Sequence, residues 1–125
     1  MPNILENLKY TKTHEWVLVS GNKAKVGISD FAQGEITDVV HVELPSVGQS
    51  VKKAAPAAVI ESVKSAFDIY SPVSGKITAS NGELEGSPEL INQDPYNKGY
   101  LFEVEFLDAK ELDNLLSAEE YKQII

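Results

Sequence analysis

Lys64 is the residue of this 125-residue chain whose setting best suits chemistry. It stands in Glu61-Ser62-Val63-Lys64-Ser65-Ala66-Phe67-Asp68, between the apolar run Ala58-Val59-Ile60 and the run Phe67-Asp68-Ile69-Tyr70. A lysine at such a hairpin tip meets other proteins without burying its charge. With a reference pKa of ~10.4 its amine is protonated near neutrality, so it is a poor base or nucleophile on its own. Its chemical use is as an attachment point that an enzyme acylates. From composition alone, an ordinary solvated lysine is the commoner outcome.

Other polar residues offer less. His14 precedes Trp16 by two and is expected to share its face of a strand, as packing rather than catalysis. His41 alternates with Val40 and Val42 and is expected to face outward. Two histidines so far apart have no metal-ligand spacing. The absence of cysteine excludes a disulfide framework, a thiolate metal site and a cysteine nucleophile. No Gly-rich phosphate loop or nucleophile elbow is present. Neither a catalytic residue nor a metal site is therefore expected.

The elements that would position Lys64 read mostly as short strands cut by turns. Trp16 to Ser20, Gly21-Asn22 and Lys23 to Ser29 form the pattern of a hairpin with a glycine-led two-residue turn. Asp30-Phe31-Ala32-Gln33 has capping-box spacing and opens a turn or two of helix that Gly34 weakens. From Ile36 to Leu44 the alternation predicts a strand with Val40, Val42 and Leu44 on one buried face, ended by Pro45. A further strand, Lys76 to Ala79, precedes the turn at Asn81-Gly82. Residues 82–99 contain Pro88, Pro95 and Gly99 and predict an extended surface loop with at most one helical turn. Tyr100, Phe102, Val104 and Phe106 alternate with Leu101, Glu103 and Glu105, which predicts a strand. The tail, about 108–125, is predicted helical, with capping-box spacing at Asp108/Glu111 and Ser117/Glu120 and a stripe of Leu112, Leu115 and Leu116.

Pro45-Ser46-Val47-Gly48 and Pro72-Val73-Ser74-Gly75 are two Pro-x-x-Gly turns that bracket Lys64. Similar strand-turn units around a central hairpin point to a quasi-symmetric small β barrel or sandwich. At ~100–200 residues per domain, residues 1–125 make one unit.

Composition narrows the function classes. All eleven basic residues are lysines and the net charge is -8. Without arginine there is no bidentate phosphate or guanine reader, and the acidic balance further disfavours nucleic acid. No run reaches the ~20 apolar residues of a membrane span, and the N-terminus has no secretory or other targeting pattern. A cytoplasmic location with no membrane contact is the expectation. Residues 1–80 hold eight acids and eight lysines, whereas residues 81–125 hold eleven acids against Lys98, Lys110 and Lys122. That asymmetry is either a face that meets something basic or a solvated surface.

An ordered series of short motifs resembles the lipoyl-carrying H-protein family of the glycine cleavage system. It runs from Lys9-Tyr10 and His14-Glu15-Trp16-Val17 through Val26-Gly27-Ile28-Ser29-Asp30 and Ala32-Gln33 to Asp38-Val39-Val40 and Val42-Glu43-Leu44-Pro45. Glu61-Ser62-Val63-Lys64, Asp68 and Tyr70-Ser71-Pro72-Val73-Ser74-Gly75 follow, then Pro88-Glu89-Leu90-Ile91-Asn92, Asp94-Pro95-Tyr96 and Gly99. The series covers nearly the whole chain.

The resemblance implies a mainly β, barrel-sandwich hybrid of the lipoyl/biotinyl-carrier type with short helices, chiefly at the C-terminus. It implies a non-catalytic carrier with lipoate on Lys64, in the modification context of Glu61, Ser62 and Val63. The partners implied are a pyridoxal-phosphate glycine decarboxylase, a tetrahydrofolate-dependent aminomethyltransferase, dihydrolipoamide dehydrogenase and a lipoate-attaching enzyme. The arm would carry the aminomethyl group of glycine from the first to the second, and the third would reoxidise it. Glu15 and Asp68 match family positions near the cleft where the loaded arm rests, and a carboxylate suits a cationic amine. A scaffold without cysteine also has no thiol of its own to trap the arm.

Three residues depart from the pattern. Tyr100 stands where tryptophan is frequent, Phe67 where smaller residues are usual, and Thr37 where glycine is frequent. The alternatives are a lipoate-relay protein of the same fold, a biotinyl module, or an acyltransferase lipoyl domain. Val63 and Ser65 replace the methionines that flank a biotinyl lysine. Val63 also stands where acyltransferase lipoyl domains usually have aspartate.

Overall fold

The computed structural model describes residues 2–125. Nine strands are β1 (Lys9–Tyr10), β2 (Glu15–Ser20), β3 (Lys23–Ile28), β4 (Val39–Glu43), β5 (Ser50–Val51), β6 (Pro56–Ser62), β7 (Ala66–Tyr70), β8 (Gly75–Ser80) and β9 (Phe102–Phe106). Four short α-helices are α1 (Asp30–Ile36), α2 (Glu83–Gly86), α3 (Leu90–Gln93) and α4 (Ala118–Lys122), with a 3-10 helix over Ala109–Asn114. The strands form one sheet of order β1-β2-β3-β9-β8-β5 and a second of order β4-β6-β7, and all the pairings are antiparallel. Both sheets stay open, so the mainly β fold expected from the resemblance is built as a sandwich. Its core joins Val26, Phe102 and Val104 of the larger sheet to Val42, Ile60 and Ile69 of the smaller one.

The two Pro-x-x-Gly turns have a joint purpose in this sandwich. They lead into β5 and β8, which pair with Val51 opposite Gly75. The Gly48 N–H donates to Ile77 O at 2.8 Å and the Ile77 N–H to Gln49 O at 2.9 Å, so the repeat units fasten to each other. Gly75 must lack a side chain, because a Cβ there would lie 2.0 Å from the Glu105 carbonyl oxygen. The β2–β3 hairpin turns at Gly21, whose φ of +62° suits glycine.

A separate aromatic cluster ties the chain ends together. Tyr10 stacks on Tyr121 with ring centroids 4.5 Å apart, and the Trp16 indole donates to Pro95 O at 2.9 Å. Leu8 and Ala118 complete the buried group. The capping box at Ser117 and Glu120 starts α4 and delivers Tyr121 to Tyr10.

Several local expectations are corrected. The strand expected from Ile36 begins at Val39, because Ile36 ends α1. Val40 is 53% exposed rather than buried: a bulge between Val39 and His41 breaks the alternation and turns Val39 and Val42 inward. The N-cap of α1 is Ser29, whose Oγ accepts the Ala32 N–H at 3.1 Å, and Asp30 instead accepts from the Gln33 side chain at 2.8 Å. Residues 82–99 hold both α2 and α3, anchored by the fully buried Leu84 and Ile91, so they are not a surface loop. With α1, these helices also mean that helix is not chiefly C-terminal. In the tail, Glu111 does not close a box with Asp108; its carboxylate accepts from the Ser74 N–H at 2.7 Å and Oγ at 2.9 Å. Leu101, expected opposite the buried face, is buried as well, and its N–H donates to Val26 O at 2.8 Å just before β9 starts.

Thr37 caps α1 with φ 65° and ψ -151°. That region is essentially reserved for glycine, and a threonine held there stores roughly 1–3 kcal/mol. The frequent glycine at this place thus has a backbone reason.

Candidate functional site

The β6–β7 hairpin lifts Lys64 to its tip. Strand pairing runs out at Glu61 opposite Ala66, and four residues close the turn. Ser62 organises it: its N–H donates to Ser65 O at 2.8 Å, while its Oγ accepts from the Lys64 N–H at 3.2 Å. Val63 donates its N–H to Asp38 O at 3.0 Å, and its side chain is 66% exposed. The Lys64 ammonium donates to the Glu35 carbonyl oxygen at 2.8 Å and makes no ion pair among the described residues. Glu61 lies opposite His41 across the β4–β6 pair, and His41 is exposed. Ser62 is therefore the structural member of the motif, and Val63 and Lys64 are the ones displayed.

Beside the tip lies a cavity of about 270 Å³ lined by Thr13, His14, Ile28, Phe31, Ala32, Glu35, Ile36, Phe67, Asp68 and Ile69. The pairing of Val59 with Asp68 and Ile60 with Phe67 brings the latter two residues from the hairpin to this wall. Helix α1 supplies Phe31, Glu35 and Ile36 opposite. The cavity is mostly apolar, with Asp68 and Glu35 as its acids. Phe67, one of the three departures, narrows it directly.

His14 forms part of the wall with a positive φ of 75°. Its Nδ1 lies 2.8 Å from the Tyr121 hydroxyl, which in turn lies 2.7 Å from Ser29 Oγ. Burial holds the imidazole pKa below its ordinary value, although the Glu35 charge pulls it upward. His14 is thus a neutral packing group at pH 7, with its ring tilted over Phe31 at 5.1 Å.

Glu15 occupies different ground from Asp68. It is 1% exposed and lines a second cavity, of about 500 Å³, with Thr11, Thr13, Lys53, Tyr70 and Leu115 among its neighbours. Its Oε1 accepts from Thr11 Oγ1 at 2.6 Å and Thr13 Oγ1 at 2.5 Å, and its Oε2 from the Tyr70 N–H at 3.3 Å. Burial pushes its pKa up, and the hydrogen bonds from Thr11, Thr13 and Tyr70 hold it back. The two carboxylates proposed from the sequence do not share a cavity; Thr13, which lines both, links them. Glu35 and Phe31 had no signal in the sequence, since a backbone carbonyl and a helix face carry no motif.

An exposed amine beside an apolar trough with acids at its edge fits an extended apolar arm that ends in a cation. Two packed antiparallel sheets that lift such a lysine on a hairpin make a β-sandwich module that displays an amine. The sequence profile described as Glycine cleavage H-protein matches residues 8–125. A glycine cleavage system H protein from Endomicrobium trichonymphae is 68% identical over 123 residues, which cover 98% of this chain and 99% of that protein. One from Coprothermobacter proteolyticus is 56% identical over 98% of this chain and 97% of its own. The crystal structure of a glycine cleavage system H protein from Mycobacterium marinum superposes with a TM-score of 0.88 at 32% identity, covering 96% of this chain and 97% of that one. The chain belongs to the glycine cleavage H-protein family, a family of lipoyl carriers within a multienzyme system. Among the described residues, no helix is long and apolar enough to cross a membrane.

Proposed function

We propose that Lys64 is the lipoyl-attachment residue and that residues 1–125 act as one carrier unit with no catalytic group of their own. The observation that carries this reading is the exposed Lys64 amine standing beside the Asp68 cavity, next to the carbonyl of Glu35. When bound, lipoate supplies the disulfide that accepts the aminomethyl group of glycine. The chain's residues present, shelter and release that arm. Ser62 keeps the tip closed so that Val63 and Lys64 face the lipoate-attaching enzyme. Phe31, Ile36 and Phe67 give the arm an apolar wall, and Asp68 meets the cationic cargo. Attraction between that cation and the exposed Asp68 carboxylate is worth at most ~1 kcal/mol, which sets a several-fold upper bound on the preference for the cavity. Glu15 contributes through Thr13, whose hydroxyl it holds at the boundary of the two cavities.

The partners in this reading are the pyridoxal-phosphate decarboxylase, the tetrahydrofolate-dependent aminomethyltransferase and dihydrolipoamide dehydrogenase. The setting is the cytoplasm, where a dithiol arm stays reduced until its dehydrogenase acts. A reconstitution tests the role. Lipoylated chain added to the decarboxylase and aminomethyltransferase is expected to support glycine-dependent release of carbon dioxide and one-carbon transfer to tetrahydrofolate. A chain that is lipoylated, supports neither, and instead passes its lipoyl group to another acceptor would be a relay.

A further inference from the structure

One side chain holds the turn beneath the lysine tip in a conformation its sequence resists. Asn92, on α3, donates its amide N–H groups to Thr37 O at 2.8 Å and Gln33 Oε1 at 3.1 Å, and its Oδ1 accepts the Val39 N–H at 3.0 Å. It therefore grips the chain on both sides of Thr37, the residue with φ 65° and ψ -151°. The carbonyls that receive the tip lie immediately around this clamp. Glu35 O accepts the Lys64 ammonium at 2.8 Å, and Asp38 O accepts the Val63 N–H at 3.0 Å. Because Thr37 lies between Glu35 and Asp38, relaxing its φ toward ordinary values would displace the two anchors of the tip relative to each other.

Acylation of Nζ removes its charge but leaves one N–H, which can still donate to Glu35 O. We propose that Asn92 is a positioning residue for the modified lysine: it locks Thr37 so that Glu35 O receives the Nζ–H of the lipoyl-lysine amide. The arm then starts along the Phe31, Ile36 and Phe67 wall instead of swinging from an unheld root. This rests on the reading of Lys64 as the lipoylated residue. Strain retained at a functional turn and imposed by a neighbour is the general pattern it follows.

The test is hydrogen exchange at the side-chain amide of lipoylated full-length protein carrying ¹⁵Nζ-lysine. Exchange at that N–H is expected to be slowed about tenfold against a short lipoyl-lysine peptide, the weight of a single hydrogen bond. Asn92→Ala, or Asn92→Asp, which keeps the Val39 acceptor but turns an acceptor oxygen toward Thr37 O, should abolish the protection. Adding Thr37→Gly should restore it, because glycine adopts this backbone without a clamp. Unprotected exchange in the wild type would overturn the proposal, as would full protection in both Asn92 variants. Protection lost in the Asn92 variants and not restored by Thr37→Gly would also overturn it, leaving Asn92 with a stability role only. Absence of a mass gain with a lipoate-attaching enzyme would instead overturn the underlying reading of Lys64, so the two failures are distinguishable.

Discussion

The lysine tip and the aromatic cluster at the chain ends are built on opposite terms. At the tip, Val63 is 66% exposed, Lys64 is solvent-facing, and the neighbouring backbone supplies the contacts. In the cluster, Tyr10, Trp16 and Tyr121 are 0% exposed, and each side-chain donor has a partner. Burial pushes the Tyr121 phenol up to about 12, which keeps it a neutral hydrogen-bonding group throughout the working pH range. The tip leaves its side chains out of the packing, whereas the cluster's side chains hold the chain ends together. The tip should therefore accept change without unfolding, and the cluster should not.

The largest separation comes from Lys64→Arg. It is expected to abolish lipoylation and all aminomethyl transfer while shifting unfolding free energy by no more than ~0.5 kcal/mol. Denaturant titration beside a transfer assay checks both halves. Trp16→Ala should do the reverse, costing ~3–5 kcal/mol through cavity creation and loss of the indole bond to Pro95. The fraction of this variant that remains folded should still be lipoylated at an ordinary rate, and a rate loss beyond the unfolded fraction would break the comparison.

Glu15 lies between these extremes and titrates. Its folded pKa is raised above the ordinary 4.5, mainly by burial. The folded state therefore binds this proton more tightly than the unfolded state. The associated stability is fully present below 4.5 and is lost as pH rises through the raised value. Glu15→Gln removes that loss, so its stability relative to wild type should climb across this window and then level off. Unfolding curves from pH 3 to 8 check this, and a flat difference would mean that folding leaves the Glu15 pKa unshifted.

The smallest effect concerns the acidic last third, residues 81–125, with eleven acids against three lysines. Long-range charge raises encounter rates without locking a complex, which suits a carrier that must bind and leave. With a Debye length of ~8 Å at physiological ionic strength, salt should raise the apparent Michaelis constant of at least one partner. Reversal of Glu83, Glu85 and Glu89 to lysine should act in the same direction. Constants insensitive to both would make the region a solubility device.

Legibility from sequence followed the same divide. The hairpins around Gly21 and Lys64 were readable because their apolar runs and turn residues agree locally. The Ser117 capping box was readable for the same reason. Val40 was not, since a bulge depends on how two strands meet and leaves no mark on the alternation itself. Residues 82–99 misled because Leu84 and Ile91 are isolated apolar residues among turn formers, and only tertiary packing makes them core. At the site, Lys64 and Asp68 stood out by type and place, whereas the contribution of Glu35 is a backbone carbonyl. Glu15 was singled out, yet its burial behind Thr13 needed three dimensions.

The most direct measurement is peptide mapping by mass spectrometry of the full chain after lipoylation by a lipoate-attaching enzyme. The account predicts one lipoyl adduct per chain, all of it on Lys64, and none on the Lys64→Arg protein. Adduct on Lys76 or any other lysine, or modification that survives Lys64→Arg, would contradict it.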